Sequence, residues 1–190
     1  MARKRVFIIH GWGGSPNEVI HKWLKRELEN KGFIVSAPEM PNTDEPKIEE
    51  WVSYLDKQID KLDENTYFVG HSIGCQTIMR YLQNINTKIG GAIFVAGWFN
   101  LVNIEDKESE RIAVPWLKTK INLAKTKSHC KKFISIFSEN DPFVPLTDSK
   151  IFKEKLNAKV IFEKNKGHYT ENDGVEKVPI VLEELLKISA

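Results

Sequence analysis

Apolar and β-branched residues gather in short runs at 6–9, 33–35, 66–69, 91–96, 133–137 and 159–162. Several runs are unbroken rather than alternating, the pattern of strands covered on both faces. Between them the spacing shifts to the helical period. Val19, Ile20, Trp23, Leu24 and Leu28 form one stripe, with Gly32 placed to end it. Ser15-Pro16-Asn17-Glu18 ahead of that stripe reads as an N-cap, a first-turn proline and a capping-box glutamate. A second helix is expected from about Pro46, with Ile48, Trp51, Val52, Leu55, Ile59 and Leu62 on one face. A third follows Ser72 and carries Cys75, Ile78, Met79 and Leu82. Further helices are expected near 147–156 and 178–188. Strands alternating with helices imply right-handed βαβ units and a mostly parallel sheet with helices on both faces. The segment 98–128 is the least patterned; short helices are expected near 108–116 and 118–125, making a small cap-like connector.

Composition narrows the class without choosing a chemistry. A chain of 190 residues is read as one domain over 1–190, burying on the order of 70% of its unfolded surface. With 41% hydrophobic and 28% charged residues it has an ordinary globular balance. A formal net charge of +2, with acids and bases interleaved, gives no basic stripe for nucleic acid. Cys75 and Cys130 have no metal-site spacing, so no metal and no cofactor are expected, and Cys75 is read as a core thiol. The run at 6–9 is too short for a signal-peptide core, and no stretch of about 18 apolar residues exists to span a membrane. A cytoplasmic location is the resulting expectation.

Chemistry enters at Gly70-His71-Ser72-Ile73-Gly74. This is G-x-S-x-G between a strand and a helix, the setting of a nucleophile elbow. A sharp turn exposes the hydroxyl, and an adjacent base takes its proton. Of five histidines, His21 lies within the first helical stripe and His129 in a basic connector, and both are expected at the surface. His71 adjoins the serine on a tight turn, where neighbours do not face each other, so it is read as supporting the site. His10 is placed to brace the first loop. His168 remains as the base. It lies just past the last strand run, at the carboxyl edge where ligand sites collect in open α/β sheets. Asp141, before Pro142 and after the run at 133–137, is the expected acid, with Glu139 its nearest competitor. The loop one strand earlier holds no carboxylate before Glu105. The order Ser72, Asp141, His168 is that of α/β-hydrolases. By position, the backbone N–H groups of Trp12 and Ile73 form the oxyanion hole. The loop 10–14 matches neither G-x-G-x-x-G nor a Walker motif. Trp98, Phe99, Phe143 and Val144 flank these loops as candidate walls of an apolar substrate pocket.

Taken together, His10-Gly11-Trp12-Gly13-Gly14, Met40-Pro41, Trp51, Gly70 to Cys75, Asn140 to Pro145 and Gly167-His168-Tyr169 resemble the YdeN-like small serine hydrolases. These are relatives of the retinoblastoma-binding-protein type of serine hydrolase. The resemblance implies a compact α/β-hydrolase fold that lacks the usual first two strands, a six-stranded sheet in the order 2-1-3-4-5-6, and a triad at Ser72, Asp141 and His168. It also implies a small-molecule ester or amide substrate. The residues alone leave open a non-catalytic binding or scaffolding protein on the same fold, and a small aminopeptidase-like amidase.

Overall fold

The computed structural model describes residues 3–104, 106–130 and 132–190. Glu105 therefore lies outside the described residues. Strands β1 (Arg5–Ile9), β2 (Ile34–Ser36), β3 (Thr66–His71), β4 (Gly91–Val95), β5 (Phe133–Ser138) and β6 (Lys159–Glu163) form one sheet. Its order is β2-β1-β3-β4-β5-β6, and every neighbouring pair is parallel. The helices are α1 (Val19–Asn30), α2 (Ile48–Lys57), α3 (Ile73–Leu82), α4 (Lys107–Lys118), α5 (Leu123–His129), α6 (Asp148–Leu156) and α7 (Pro179–Ser189).

β3, β4 and β5 are buried at every position, which requires cover on both faces. α1 packs with α7, while α2 and α5 pack against α3. In a parallel sheet the loops after β1, β3, β5 and β6 all leave at the same edge. The chain's order reverses between β1 and β3, so the loops after these two strands diverge and open a crevice between them.

The edges of several elements differ from expectation. α1 starts at Val19, not at Pro16. The Ser15 hydroxyl accepts the Asn17 N–H at 3.1 Å within a turn, and the Glu18 carboxylate turns to His21 at 3.0 Å instead of closing a capping box. The Val19 N–H is met from far along the chain by the Glu171 carboxylate, at 2.9 Å. α2 ends at Lys57, so Ile59 and Leu62 reach the core from the turn beyond it. α4 runs on to Lys118, and α5 begins only at Leu123. The Arg80 guanidinium on α3 is buried and donates to the carbonyls of Trp116 and Thr119, tying the connector to the main body. Burial lowers its pKa to about 10.

Candidate active site

Ser72 sits between β3 and α3 with φ 53° and ψ −121°, a strained conformation for a residue with a side chain. The strain is held on both sides. The Ser72 N–H donates to the Val95 carbonyl at 2.9 Å, and the Ser72 carbonyl accepts the Cys75 N–H at 3.0 Å. Gly74 lets α3 cross close over β1, where a Cβ would overlap the carbonyl oxygens of Ile9 and His10.

The Ser72 hydroxyl meets His168 Nε2 at 2.9 Å, and His168 Nδ1 meets Asp141 Oδ2 at 2.9 Å. The Asp141 side chain is 2% exposed and the His168 side chain 13%. The other Asp141 oxygen, Oδ1, accepts the N–H groups of Phe143 and Val144 at 2.9 and 3.0 Å. The Asp141 carboxylate is thereby fixed by its own loop while Oδ2 faces the imidazole. Glu139 is exposed, and its backbone N–H bonds to the Glu163 carbonyl.

Further polar links set the positions of these loops. The Asn140 side-chain oxygen accepts from the Ser138 hydroxyl at 2.7 Å and from the Gly167 N–H at 3.1 Å, joining the loop of Asp141 to that of His168. Asp173 accepts the His168 N–H at 2.9 Å. His71 Nε2 donates to the His168 carbonyl at 2.8 Å. Burial, reinforced by the neighbouring His168, holds the His71 pKa well below the ordinary range and keeps its ring neutral. His10 braces the loop after β1: Nδ1 donates to the Gly11 carbonyl at 2.8 Å, and Nε2 accepts the Met40 N–H at 3.0 Å. Its pKa is likewise lowered by burial. Neither Asp173 nor Ser138 carries a sequence signal of its own, and Asn140 stands in the Asn140 to Pro145 motif with no role assigned to it there.

A pocket of about 550 Å³ opens over Ser72 and His168. Trp12, Gly13 and Ile73 line one side, and among the described residues the backbone N–H groups of Trp12 and Ile73 donate to no acceptor. Trp98, Leu101, Asn103, Ile104, Asp106 and Ser109 come from the connector after β4, and Phe143 completes the wall. Phe143 is 43% exposed and packs edge-on to the His168 ring. Two expected wall residues lie elsewhere. Phe99 packs its ring on Phe152, with centroids 4.8 Å apart, and Val144 is buried in the core. Phe99 is drawn inward because α6 offers the Phe152 ring beneath it. Asp148, at the start of α6, is fully buried and receives the N–H of Phe99 at 2.5 Å and of Asn100 at 2.8 Å. That carboxylate turns the backbone so that Trp98 and Leu101 face the pocket while Phe99 does not. A buried acid at a helix start reads in sequence only as a first-turn charge.

His21 is 4% exposed, against the surface position expected of it, because α1 lays it over the elbow with its ring 6.0 Å from that of His71. One donor atom each from Glu18, His21 and His71 lies within 4.8 Å of the other two. Cys75 is buried, as its place in the apolar stripe implies, and burial pushes its thiol pKa up. No helix among the described residues is long and apolar enough to cross a membrane.

With this geometry in view, a family model described as serine hydrolase matches residues 6–187. The chain is 30% identical to YdeN of Bacillus subtilis (strain 168) over 184 residues, 96% of this chain and 94% of that protein. It is 26% identical to the rat (Rattus norvegicus) serine hydrolase RBBP9 over 174 residues, 90% of this chain and 85% of that one. The crystal structure of the B. subtilis ydeN gene product superimposes with a TM-score of 0.89 at 29% identity, covering 97% of this chain and 98% of that one. Est1E from Butyrivibrio proteoclasticus, solved with ferulic acid bound, shares the fold with a TM-score of 0.69 at 16% identity, covering 97% of this chain and 88% of that one.

Proposed function

The chain belongs to the serine hydrolase family, and on that premise we propose that it cleaves carboxylic esters of small to medium apolar acids through an acyl-enzyme on Ser72. One observation carries the reading: a single imidazole, His168, bridges a strained serine hydroxyl and a buried carboxylate at 2.9 Å on each side. His168 Nε2 takes the hydroxyl proton as Ser72 Oγ attacks the carbonyl carbon. Asp141 fixes the tautomer with the proton on Nδ1 and stabilises the imidazolium that forms. The oxyanion lies against the N–H groups of Trp12 and Ile73, each worth roughly 3–4 kcal/mol in the transition state. The imidazolium then returns its proton to the leaving alkoxide. Water, deprotonated by the same nitrogen, releases the acid and restores Ser72.

The acyl group is assigned to the side walled by Trp98, Leu101 and Phe143, whose surfaces are apolar. A volume near 550 Å³ suits a compact acid rather than a long lipid chain. A fluorophosphonate probe tests the nucleophile: the wild-type chain is expected to label and Ser72→Ala is not. Nitrophenyl esters of graded acyl length, run beside amino-acid amides, then size the pocket. A wild-type chain that resists the probe, or amides turned over faster than every ester, would refute the reading.

A further inference from the structure

Beneath the site, three buried polar atoms lie close together with no well-aligned donor between them: Glu18 Oε2 lies 3.0 Å from His21 Nδ1, but off the line of its N–H. Glu18 Oε2, His21 Nε2 and His71 Nδ1 are each buried without a hydrogen-bond partner among the described residues. The two imidazoles are 4% and 6% exposed. Their outer nitrogens fix which nitrogen is bare. His21 Nδ1 faces the Ser15 carbonyl at 3.1 Å and must carry hydrogen there. His71 Nε2 faces the His168 carbonyl at 2.8 Å and must do the same. In a neutral imidazole the other nitrogen is then a lone pair. A carboxylate oxygen is an acceptor only. Three lone pairs, one of them on a formal anion, thus lie close together, with one donor atom of each residue within 4.8 Å of the other two.

Two imidazole nitrogens and one carboxylate oxygen are a donor set suited to Zn²⁺, with a further position left for water. Ligating imidazoles characteristically donate their second N–H to a carbonyl, as both do here. The backbone leaves the donors uncovered: a Cβ at Gly11 would stand 3.1 Å from His71 Nδ1, and one at Gly14 would stand 3.1 Å from a Glu18 oxygen. We propose that Glu18, His21 and His71 bind one divalent transition-metal ion, Zn²⁺ by its donor set, under the loop that carries the nucleophile. A tetrahedral Zn²⁺ holds its ligands about 3.4 Å apart, so donors now within 4.8 Å draw in by up to about 1.4 Å. Glu18 can supply that movement, since it lies in the turn before α1 and its side chain is 32% exposed. The ion would staple the start of α1 to the elbow and, through His71, firm the hydrogen bond to the His168 backbone.

The test reads binding and not turnover, so it stands apart from the hydrolase assignment. The untagged chain is stripped with a chelator and titrated with Co²⁺. One ion per chain, a visible band of low-symmetry Co²⁺, its displacement by Zn²⁺ and a raised melting temperature are expected. Glu18→Gln and His21→Phe should each weaken Co²⁺ binding by on the order of 100-fold while circular dichroism stays native. Should either variant unfold, imidazole ¹⁵N shifts of the wild-type chain decide the matter. Zn²⁺ should move His21 Nε2 and His71 Nδ1 and leave His129 unmoved. Absence of binding at roughly 0.1 mM Co²⁺, full affinity in both folded variants, or shifts at other histidines only would overturn the site.

Discussion

Asp148 touches neither Ser72 nor His168, yet replacing it should cost as much stability as removing a core side chain. The carboxylate is fully buried and holds three donors: the backbone N–H of Phe99 at 2.5 Å, that of Asn100 at 2.8 Å, and the Asn100 side-chain amide at 2.6 Å. Hydrogen bonds to a charged group contribute about 1.5–3 kcal/mol each, and partial exposure of the donors places these at the low end. Asp148→Ala should therefore lose about 3–5 kcal/mol. Asp148→Asn keeps one oxygen for the two backbone donors. Its new NH₂ can be met by the Asn100 amide rotated to present oxygen. Only charge assistance is lost, which roughly halves each bond and leaves a cost of about 1–2 kcal/mol.

Urea unfolding followed by tryptophan fluorescence separates the two. With a slope near 2 kcal/mol/M for a chain of this size, the midpoint should fall by roughly 1.5–2.5 M in Asp148→Ala and by about 0.5–1 M in Asp148→Asn. The loop from Trp98 to Asn103 supplies pocket wall, so Asp148→Ala should also raise KM for esters more than it lowers kcat. An alanine variant within 0.5 M of wild type, or an asparagine variant as unstable as the alanine one, would refute the hydrogen-bond reasoning.

Other expectations can be checked separately. Ser72→Ala and His168→Ala should each lower ester turnover by on the order of 10⁶, and Asp141→Asn by about 10⁴, with unfolding midpoints near wild type. Gly74→Ala drives a methyl into the Ile9 and His10 carbonyls and should cost about 3 kcal/mol, a fall of roughly 6–12 °C in Tm by calorimetry. Burial alone would raise the Glu184 pKa, but bonds from Lys159 and Lys187, each 2.7 Å long, outweigh it and hold the pKa below its ordinary 4.5. A lowered folded pKa contributes stability that is present above about pH 4.5 and lost as pH falls through the folded value. The stability difference between wild type and Glu184→Gln should accordingly be flat from neutrality to about pH 5 and shrink below it. Burial also raises both cysteine thiols, Cys130 to about 12, so Ellman's reagent should find neither in the native chain and both in urea.

The parts of this molecule that sequence makes legible are those in which residue type dictates backbone or period. Unbroken apolar runs marked the buried strands, because only a doubly covered parallel sheet accepts them at every position. The glycine-flanked serine marked the elbow, because few other residue patterns tolerate that turn. Ser72, Asp141 and His168, chosen from chain order and loop position, do meet in space. Legibility ended where a side chain's partner lies far along the chain. The start of α1 was misplaced because its cap is Glu171, 152 residues away, while the local Ser15 signal is spent in a turn. Phe99 looked like pocket wall by adjacency, yet the direction of its ring depends on Asp148, 49 residues on. His21 looked exposed because a single histidine in a helix reveals nothing about what faces it.

The same long-range polar links explain how a strained serine and a loop histidine are kept at 2.9 Å. Apolar packing holds the sheet and anchors Val144 and Tyr169 beneath these loops, but it has no direction and does not fix how one loop approaches another on the carboxyl edge. Directional bonds do so here. Asn140 ties the loop of Asp141 to Gly167, Asp173 ties the His168 N–H, and His71 ties the His168 carbonyl back to the elbow. His168 is therefore pinned at its backbone N–H, its carbonyl and its Nδ1, leaving Nε2 as the nitrogen directed at Ser72. Loss of one backbone tie should loosen the imidazole without unfolding the chain. Such a change would lower kcat while the protein still binds substrate, because it lengthens the reacting contact rather than reshaping the pocket.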